Sequence, residues 1–129
     1  MTKKIKYGQQ LIDQSDIDQV IDILKSEWLT QGPTIPAFEN EVAKKVGAKF
    51  GVATNSATSA LHIAYMALDL REGDWLWTCP NTFVATTNAA VFCGAKVDFV
   101  DIDENTFNID VNLLEAKLGE ASKKNILPK

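Results

Sequence analysis

Apolar residues recur along this chain at helical spacing, and short apolar runs lie between the later helical segments. A first helix is predicted from an N-cap at Ser15, and its apolar face comprises Ile17, Val20, Ile21 and Leu24. A second helix is predicted with Pro36 in its first turn and Gly47 at its end, and its inward face comprises Phe38, Val42 and Val46. Residues 28–33 are predicted to form the loop between these two helices.

From residue 50 onward, the pattern predicts that strands alternate with helices. Predicted strands cover 50–54, 75–79 and 96–101, and predicted helices cover 57–68 and 82–93. Gly94 ends the second of these helices, turns lie at 71–74 and 104–105, and Asp110 caps a last helix that ends near Gly119. This order implies an α/β fold with a mainly parallel sheet flanked by helices.

Ligands of such sheets collect beyond the carboxyl ends of the strands. Residues 54–58 and 79–83 both lie at the carboxyl ends of predicted strands, so the pattern predicts a site where these two segments converge. Asn-Ser-Ala-Thr-Ser at 55–59 opens the helix at the first of these places. Unpaired N–H groups, the positive helix end and the hydroxyls of Thr58 and Ser59 favour a phosphate there. The alternative is an ordinary N-cap, formed by Ser56 or Asn55, that binds no ligand.

Composition narrows the class of protein. The 129 residues are 46% hydrophobic and 23% charged, which is typical of a soluble globular protein with about one small domain. The net charge of −4 argues against nucleic acid as a partner. No apolar run approaches the roughly 20 residues of a membrane span, and no signal peptide is evident, so a cytoplasmic location is expected. Cys79 and Cys93 are predicted to be free thiols rather than a disulfide.

Two other groups of polar residues carry weaker signals. His62 lies inside a predicted helix, where packing is favoured over a catalytic role. Asp101, Asp103 and Glu104 form a carboxylate cluster without the spacing of a metal-binding loop, so a solvated turn is favoured over a metal site.

Four segments in register resemble the DegT/DnrJ/EryC1/StrS family of sugar aminotransferases, which use pyridoxal 5′-phosphate (PLP). The segments are Trp-Leu-Thr-Gln-Gly-Pro at 28–33, Asn-Ser-Ala-Thr-Ser-Ala-Leu at 55–61, Pro-Asn-Thr-Phe-Val-Ala-Thr-Thr-Asn at 80–88 and Gly-Ala-Lys-Val-Asp-Phe-Val-Asp-Ile-Asp at 94–103. Within the family, the resemblance is strongest to enzymes that aminate a UDP-linked 4-keto-6-deoxy-N-acetylhexosamine in pseudaminic acid biosynthesis. It implies that glutamate is the amino donor and that the protein is a homodimer or a higher assembly.

The resemblance also implies an architecture, namely the N-terminal part of the large domain of a fold-type I PLP-dependent transferase. Residues 1–36 would form the N-terminal helix and substrate-side loop, and residues 37–129 the first part of the PLP-binding domain. Family members are about three times this long. Neither the lysine that forms the Schiff base with PLP nor the aspartate that pairs with the pyridine nitrogen is found in this sequence, so no catalytic residue is assigned and the chain is expected to be inactive.

Site residues follow from the same resemblance. Thr58 and Ser59 would bind the cofactor phosphate, and Phe83 would stack on the pyridine ring, although a core phenylalanine is the alternative. The residues expected to face the sugar nucleotide are Tyr7, Glu27, Trp28, Leu29, Thr30 and Ala57, with Trp28 alternatively a loop aromatic covering the sheet. Two other functions stay open: a PLP-dependent sugar dehydratase of the same fold, with histidine in place of the lysine, and a non-catalytic binding or assembly module.

Overall fold

The computed structural model describes residues 8–129 and divides the chain into two compact units, one ending at Ala53 and one beginning at Thr54. The first unit contains helix α1 (Gln14–Lys25) and helix α2 (Thr34–Val46), joined by a loop at 26–33. Both helices and the loop were predicted. The division of the sequence after residue 36, which the family resemblance implies, stays a prediction.

The N-cap of α1 is Asp13, and the prediction of Ser15 is wrong by two residues. The Asp13 carboxylate accepts hydrogen bonds from the N–H groups of Ser15 and Asp16, at 2.8 and 3.2 Å. Asp16 in turn accepts from the Asp13 N–H at 3.0 Å, which completes a capping box. The Ser15 hydroxyl donates to Asp13 at 2.7 Å, so the serine supports the cap rather than forming it.

The C-terminal end of α2 follows the prediction. The helix ends at Gly47, which has the left-handed conformation with φ +69°. The apolar face of α2 does not follow the prediction. Phe38 is 60% exposed, so the prediction that this face points inward is wrong within this unit. Leu24, on the apolar face of α1, is likewise 64% exposed. Among residues 8–53 there is neither a strand nor a third helix that could cover them.

The predicted strand at 50–54 is also wrong. The Ala53 N–H donates to the Glu39 side chain at 2.8 Å instead of joining a ladder. Gly51 lies so close to α2 that a Cβ atom added there would be 2.5 Å from the Glu39 carbonyl oxygen. No other strand pairs with this segment among the described residues, and a strand without a partner has no ladder to stabilise it.

The second unit contains the alternating elements that the sequence predicts. They are α3 (Ala57–Ala67), β1 (Trp75–Thr78), α4 (Ala85–Phe92), β2 (Lys96–Phe99) and α5 (Val111–Lys124). β1 and β2 pair in parallel, with Trp75 opposite Lys96 and Thr78 opposite Phe99, and α4 connects them. This confirms the parallel α/β arrangement.

Two helix boundaries in this unit differ from the prediction. α4 begins at Ala85 rather than 82, and Thr82 lies before the helix with its hydroxyl 2.9 Å from that of Thr86. α5 continues past Gly119 to Lys124 and ends at Asn125, which has φ +55°. Two lysines in its last turn favour this extension, because they complement the negative end of the helix dipole.

The core of the second unit is small and centres on Leu70, Ala90 and Ala95. Ala90 is fully buried, so the alanine side chains of α4 allow α3 to pack closely against it. The Tyr65 hydroxyl of α3 donates to the Thr86 carbonyl at 3.2 Å, and burial raises the pKa of Tyr65. Other partly buried residues packed against this core are Leu76, Cys93 and Val97.

The weaker sequence predictions concern residues in this unit. His62 packs edge-on against Phe92 with ring centroids 5.5 Å apart, which supports a packing role. Cys79 and Cys93 are free thiols. The Asp103 carboxylate accepts from the N–H groups of Asn105 and Thr106 at 2.9 and 2.8 Å, as expected for a turn.

No helix within 8–129 is long and apolar enough to cross a membrane. The same part of the chain contains no group of three or more histidine, cysteine, aspartate or glutamate residues arranged to hold a metal ion.

Lys117 attaches α5 to the end of β2. Its ammonium group lies 2.6 Å from the Asp98 carboxylate and 2.6 Å from the Phe99 carbonyl oxygen. It also lies 4.9 Å from the centre of the Trp77 ring, within the range of a cation–π contact. The hydrogen bond from Lys117, followed by that from the Phe99 N–H, lowers the pKa of Asp98.

We expect this ion pair to make stability depend on pH. Because the folded-state pKa of Asp98 is lowered, its contribution is present above the unfolded value of about 4 and is lost as the pH falls through the folded value. Urea unfolding at pH 7 and pH 3 should therefore show a smaller pH-dependent loss of stability for Asp98→Asn than for wild type. Asp22→Asn, on the exposed surface of α1, is the control and should keep the wild-type dependence. An unchanged dependence in Asp98→Asn would contradict this account.

Candidate functional site

The first turn of α3 is closed by its own side chains. Ser56 is the N-cap, and its hydroxyl oxygen accepts from the Ser59 N–H at 3.2 Å. The Ser59 hydroxyl donates to the Asn55 side-chain carbonyl at 2.7 Å and lies 3.1 Å from the Ser56 hydroxyl. Because the Ser59 proton is directed at Asn55, the Ser56 hydroxyl must donate to the Ser59 oxygen. The expected N-cap is therefore present, and it uses both donors of Ser59.

The donors of the two preceding residues are not used in this way. Within residues 8–129, no hydrogen bond is formed by the Ala57 N–H, the Thr58 N–H or the Thr58 hydroxyl. The first turn of α3 contains no acidic side chain, so no carboxylate of that turn neutralises the positive end of the helix. An anion could therefore accept hydrogen bonds from Ala57 and Thr58 without disrupting the fold, whereas it would have to displace Ser56 to reach the Ser59 N–H.

Phe83 lies between the end of β1 and the start of α4. Its side chain is 76% exposed, so the alternative interpretation of Phe83 as a core residue is wrong for this unit. Its carbonyl oxygen accepts from the Thr86 N–H at 3.0 Å, and the neighbouring Asn81 side chain donates to the Phe107 carbonyl at 3.5 Å. These bonds fix the backbone on both sides of Phe83 and leave its ring free to contact a ligand.

The second unit thus contains Ala57, Thr58 and Ser59 at the start of α3 and Phe83 just before α4, and α3 and α4 pack against each other. No hydrogen bond among the described residues links Phe83 to the first turn of α3. Ala57 is exposed at the first position of α3.

The remaining predicted site residues lie in the first unit, in the loop after α1. Glu27 and Thr30 are exposed, Trp28 is 58% exposed and Leu29 is 67% exposed. The loop surrounds a cavity of about 230 Å³, which is lined by Ile23, Trp28, Leu29, Thr30, Gln31, Gly32, Thr34 and Ile35. Tyr7 lies outside the described residues.

Sequence reasoning assigned no structural role to two residues that shape this loop. The Ser26 hydroxyl accepts from the Trp28 N–H at 3.1 Å and lies 2.8 Å from the Ile23 carbonyl oxygen, to which it donates. Gly32 lies against the Trp28 side chain, where an added Cβ atom would be 2.6 Å from the Trp28 Cβ. A serine directly after a predicted helix was a usable signal for the first contact, whereas nothing local predicts the second.

Comparisons with known proteins agree on one family. The model of the DegT/DnrJ/EryC1/StrS aminotransferase family matches residues 10–128. A UDP-4-amino-4,6-dideoxy-N-acetyl-beta-L-altrosamine transaminase from Campylobacter jejuni subsp. jejuni serotype O:23/36 (strain 81-176) is 51% identical over 114 residues, which cover 88% of this chain and 30% of that protein. The chain therefore spans about 30% of the length of this curated relative.

Solved structures give the same result. The putative sugar aminotransferase Spr1654 from Streptococcus pneumoniae, in its PLP form, aligns with a TM-score of 0.82 and 31% identity over 88% of this chain and 29% of that one. Helicobacter pylori PseC, an aminotransferase involved in pseudaminic acid biosynthesis, aligns with a TM-score of 0.80 and 34% identity over 88% and 31% of the two chains.

The free donors at Thr58 lead to a prediction about anion binding. Inorganic phosphate at constant ionic strength should raise the melting temperature of the chain, because it binds the folded state. Thr58→Val should weaken that binding about tenfold or more, since hydrogen bonds to charged groups contribute about 1.5–3 kcal/mol. Thr34→Val, a matched change in the first turn of α2, should bind phosphate like wild type. An equal phosphate response in Thr58→Val would place the anion elsewhere.

Proposed function

The chain belongs to the DegT/DnrJ/EryC1/StrS aminotransferase family, and we propose that it is the phosphate-binding and ring-stacking part of a PLP-dependent sugar aminotransferase. The proposal depends above all on one observation: at the positive end of α3, the donors of Thr58 have no hydrogen-bond partner among the residues that the structure describes. The exposed ring of Phe83 in the same unit supports it.

The residues present fit PLP. The cofactor has an anionic phosphate and a flat pyridine ring, and this unit offers N–H and hydroxyl donors for the first and an exposed aromatic face for the second. When bound, PLP supplies an electron sink for the transfer of an amino group. The chain's own contribution is to bind and orient the cofactor.

In this proposal, Thr58 binds the phosphate through its N–H and its hydroxyl, with the Ala57 N–H beside it. Ser59 contributes its N–H once the phosphate has replaced the Ser56 oxygen as the acceptor. The partial positive charge of the helix end adds to these bonds. Phe83 stacks on the pyridine ring, where an aromatic face gives orientation as well as apolar contact.

We propose that a UDP-linked 4-keto-6-deoxy sugar is the amino acceptor and that glutamate is the donor. The name of the Campylobacter relative supports a sugar substrate of this kind. The substrate-facing residues in this proposal are Tyr7, Glu27, Trp28, Leu29, Thr30 and Ala57. The exposure of Trp28 and Leu29 beside a cavity supports the role of the loop. A cytoplasmic location is part of the same proposal.

The lysine and the aspartate that the family resemblance requires for chemistry are not found among these 129 residues. The histidine that would indicate a sugar dehydratase occupies the same family position as the lysine, so the present sequence does not separate the two chemistries. A non-catalytic binding module is the third possibility. Activity measurements separate it from the aminotransferase and the dehydratase only in a protein that includes the position of the lysine or histidine.

We expect no transamination by the 129-residue polypeptide alone. With glutamate, PLP and a UDP-4-keto sugar, no pyridoxamine phosphate should accumulate, because no residue here is assigned to form the covalent bond to PLP. PLP itself should bind weakly and non-covalently, and absorbance spectra with and without borohydride reduction would show whether a covalent bond forms. Repeated turnover by the purified polypeptide would contradict this part of the proposal.

We also propose that this polypeptide self-associates. The α1 and α2 faces that include Leu24, Phe38 and Val46 are 60–68% exposed, and large exposed apolar surfaces favour association. Sedimentation at micromolar concentration should therefore show dimers or larger species. Phe38→Glu should shift the distribution towards monomer, whereas Glu41→Gln on the same helix should leave it unchanged. A single monomeric species for the wild type would contradict the proposal.

A further inference from the structure

We infer that Gly32 is a positioning residue for Trp28, and that the two together form one wall of a pocket for a single ring of the sugar substrate. The ligand in this inference depends on the proposed function of the loop. The contact between Gly32 and Trp28 does not depend on that function, because both residues belong to the first unit and the contact is present without a ligand.

The contact is too close for any other residue at position 32. A Cβ atom on Gly32 would lie 2.6 Å from the Trp28 Cβ and 3.4 Å from its Cγ. Carbon atoms that are not bonded prefer separations of about 3.5–4.0 Å, so an alanine would push the base of the indole side chain away. Gln31, with φ +55°, turns the chain immediately before this contact.

The backbone of Trp28 is held from the other side. The Ser26 hydroxyl oxygen accepts from the Trp28 N–H at 3.1 Å, and the same hydroxyl lies 3.2 Å from the Trp28 carbonyl oxygen. Ser26 also donates to the Ile23 carbonyl in the last turns of α1, at 2.8 Å. Ser26 thus connects the main chain of Trp28 to the last turn of α1, and the missing Cβ of Gly32 leaves room for the base of the Trp28 side chain.

The pocket beside the indole has a restricted size. Its volume is about 230 Å³, below the roughly 300 Å³ at which pockets for drug-sized ligands begin. It therefore has room for one ring, and the rest of a nucleotide sugar would lie outside it. Its lining includes the apolar residues Ile23 and Ile35 and the polar residue Thr30, a combination that is typical of ligand pockets.

Nuclear magnetic resonance tests the positioning role without a ligand. The chain has three tryptophans, so a ¹H–¹⁵N spectrum should contain three indole signals, of which Trp28→Phe identifies one. Gly32→Ala should shift the Trp28 signal and leave those of Trp75 and Trp77 in place. Gly8→Ala is the matched control, because no atom of the described residues 8–129 lies within 4 Å of the Cβ position there, and it should shift none of the three. An unmoved Trp28 signal in Gly32→Ala would overturn the inference.

A double-mutant cycle tests whether the effect of Gly32→Ala acts through Trp28. Gly32→Ala alone should lower the melting temperature of the chain. In a Trp28→Gly background, which removes the Cβ atom of residue 28, most of that loss should disappear. Equal losses in the two backgrounds would overturn the inference, because the clash would then involve other atoms.

UDP-N-acetylglucosamine is the probe for the pocket, with binding followed through the Trp28 indole signal. Gly32→Ala should weaken binding at least tenfold relative to wild type, and Gly8→Ala should not weaken it. Wild-type binding that Gly32→Ala leaves unchanged would overturn the inference. If the wild type does not bind the probe, the proposed sugar-binding function of the loop is overturned, while the two preceding measurements still decide whether Gly32 positions Trp28.

Discussion

The hydrogen bond from the Ser59 N–H to the Ser56 hydroxyl determines which donors at the start of α3 are left for a ligand. A helix start has four N–H groups without partners in the helix, and a side-chain cap such as this one contributes about 1 kcal/mol to stability. Here the cap uses Ser59, and no group within residues 8–129 accepts a hydrogen bond from Thr58. The fold therefore does not depend on an anion, yet it presents donors to one at the positive end of a helix.

The rest of the second unit keeps this turn and the Phe83 segment in place. α3 and α4 pack through alanines and through the Tyr65 hydroxyl, which bonds to the carbonyl of Thr86, three residues after Phe83. Asn81 bonds to the loop after β2, so the chain on the other side of Phe83 is also restrained. A small core is sufficient for this purpose, because it has to orient two helix starts rather than enclose a ligand.

Local signals predicted most of the second unit, because each of its elements carries its own start or stop. Ser56, Gly94 and Asp110 mark helix boundaries that the structure confirms. Predictions failed where a residue depends on distant partners. The segment 50–54 has the composition of a strand, but no ladder partner exists for it among the described residues, and Glu39 takes its N–H instead. The Gly32–Trp28 contact was invisible for a related reason, since it follows from how the loop folds back on itself.

The central claim is that the start of α3 and the ring of Phe83 receive the phosphate and the pyridine ring of one PLP molecule. Amide and aromatic signals of the ¹⁵N- and ¹³C-labelled chain, followed during titration with PLP, test it most directly. The account predicts that the amide signals of Ala57 and Thr58 and the ring signals of Phe83 shift together, with one common saturation curve. Shifts confined to other surfaces, or separate curves for Thr58 and Phe83, would contradict it.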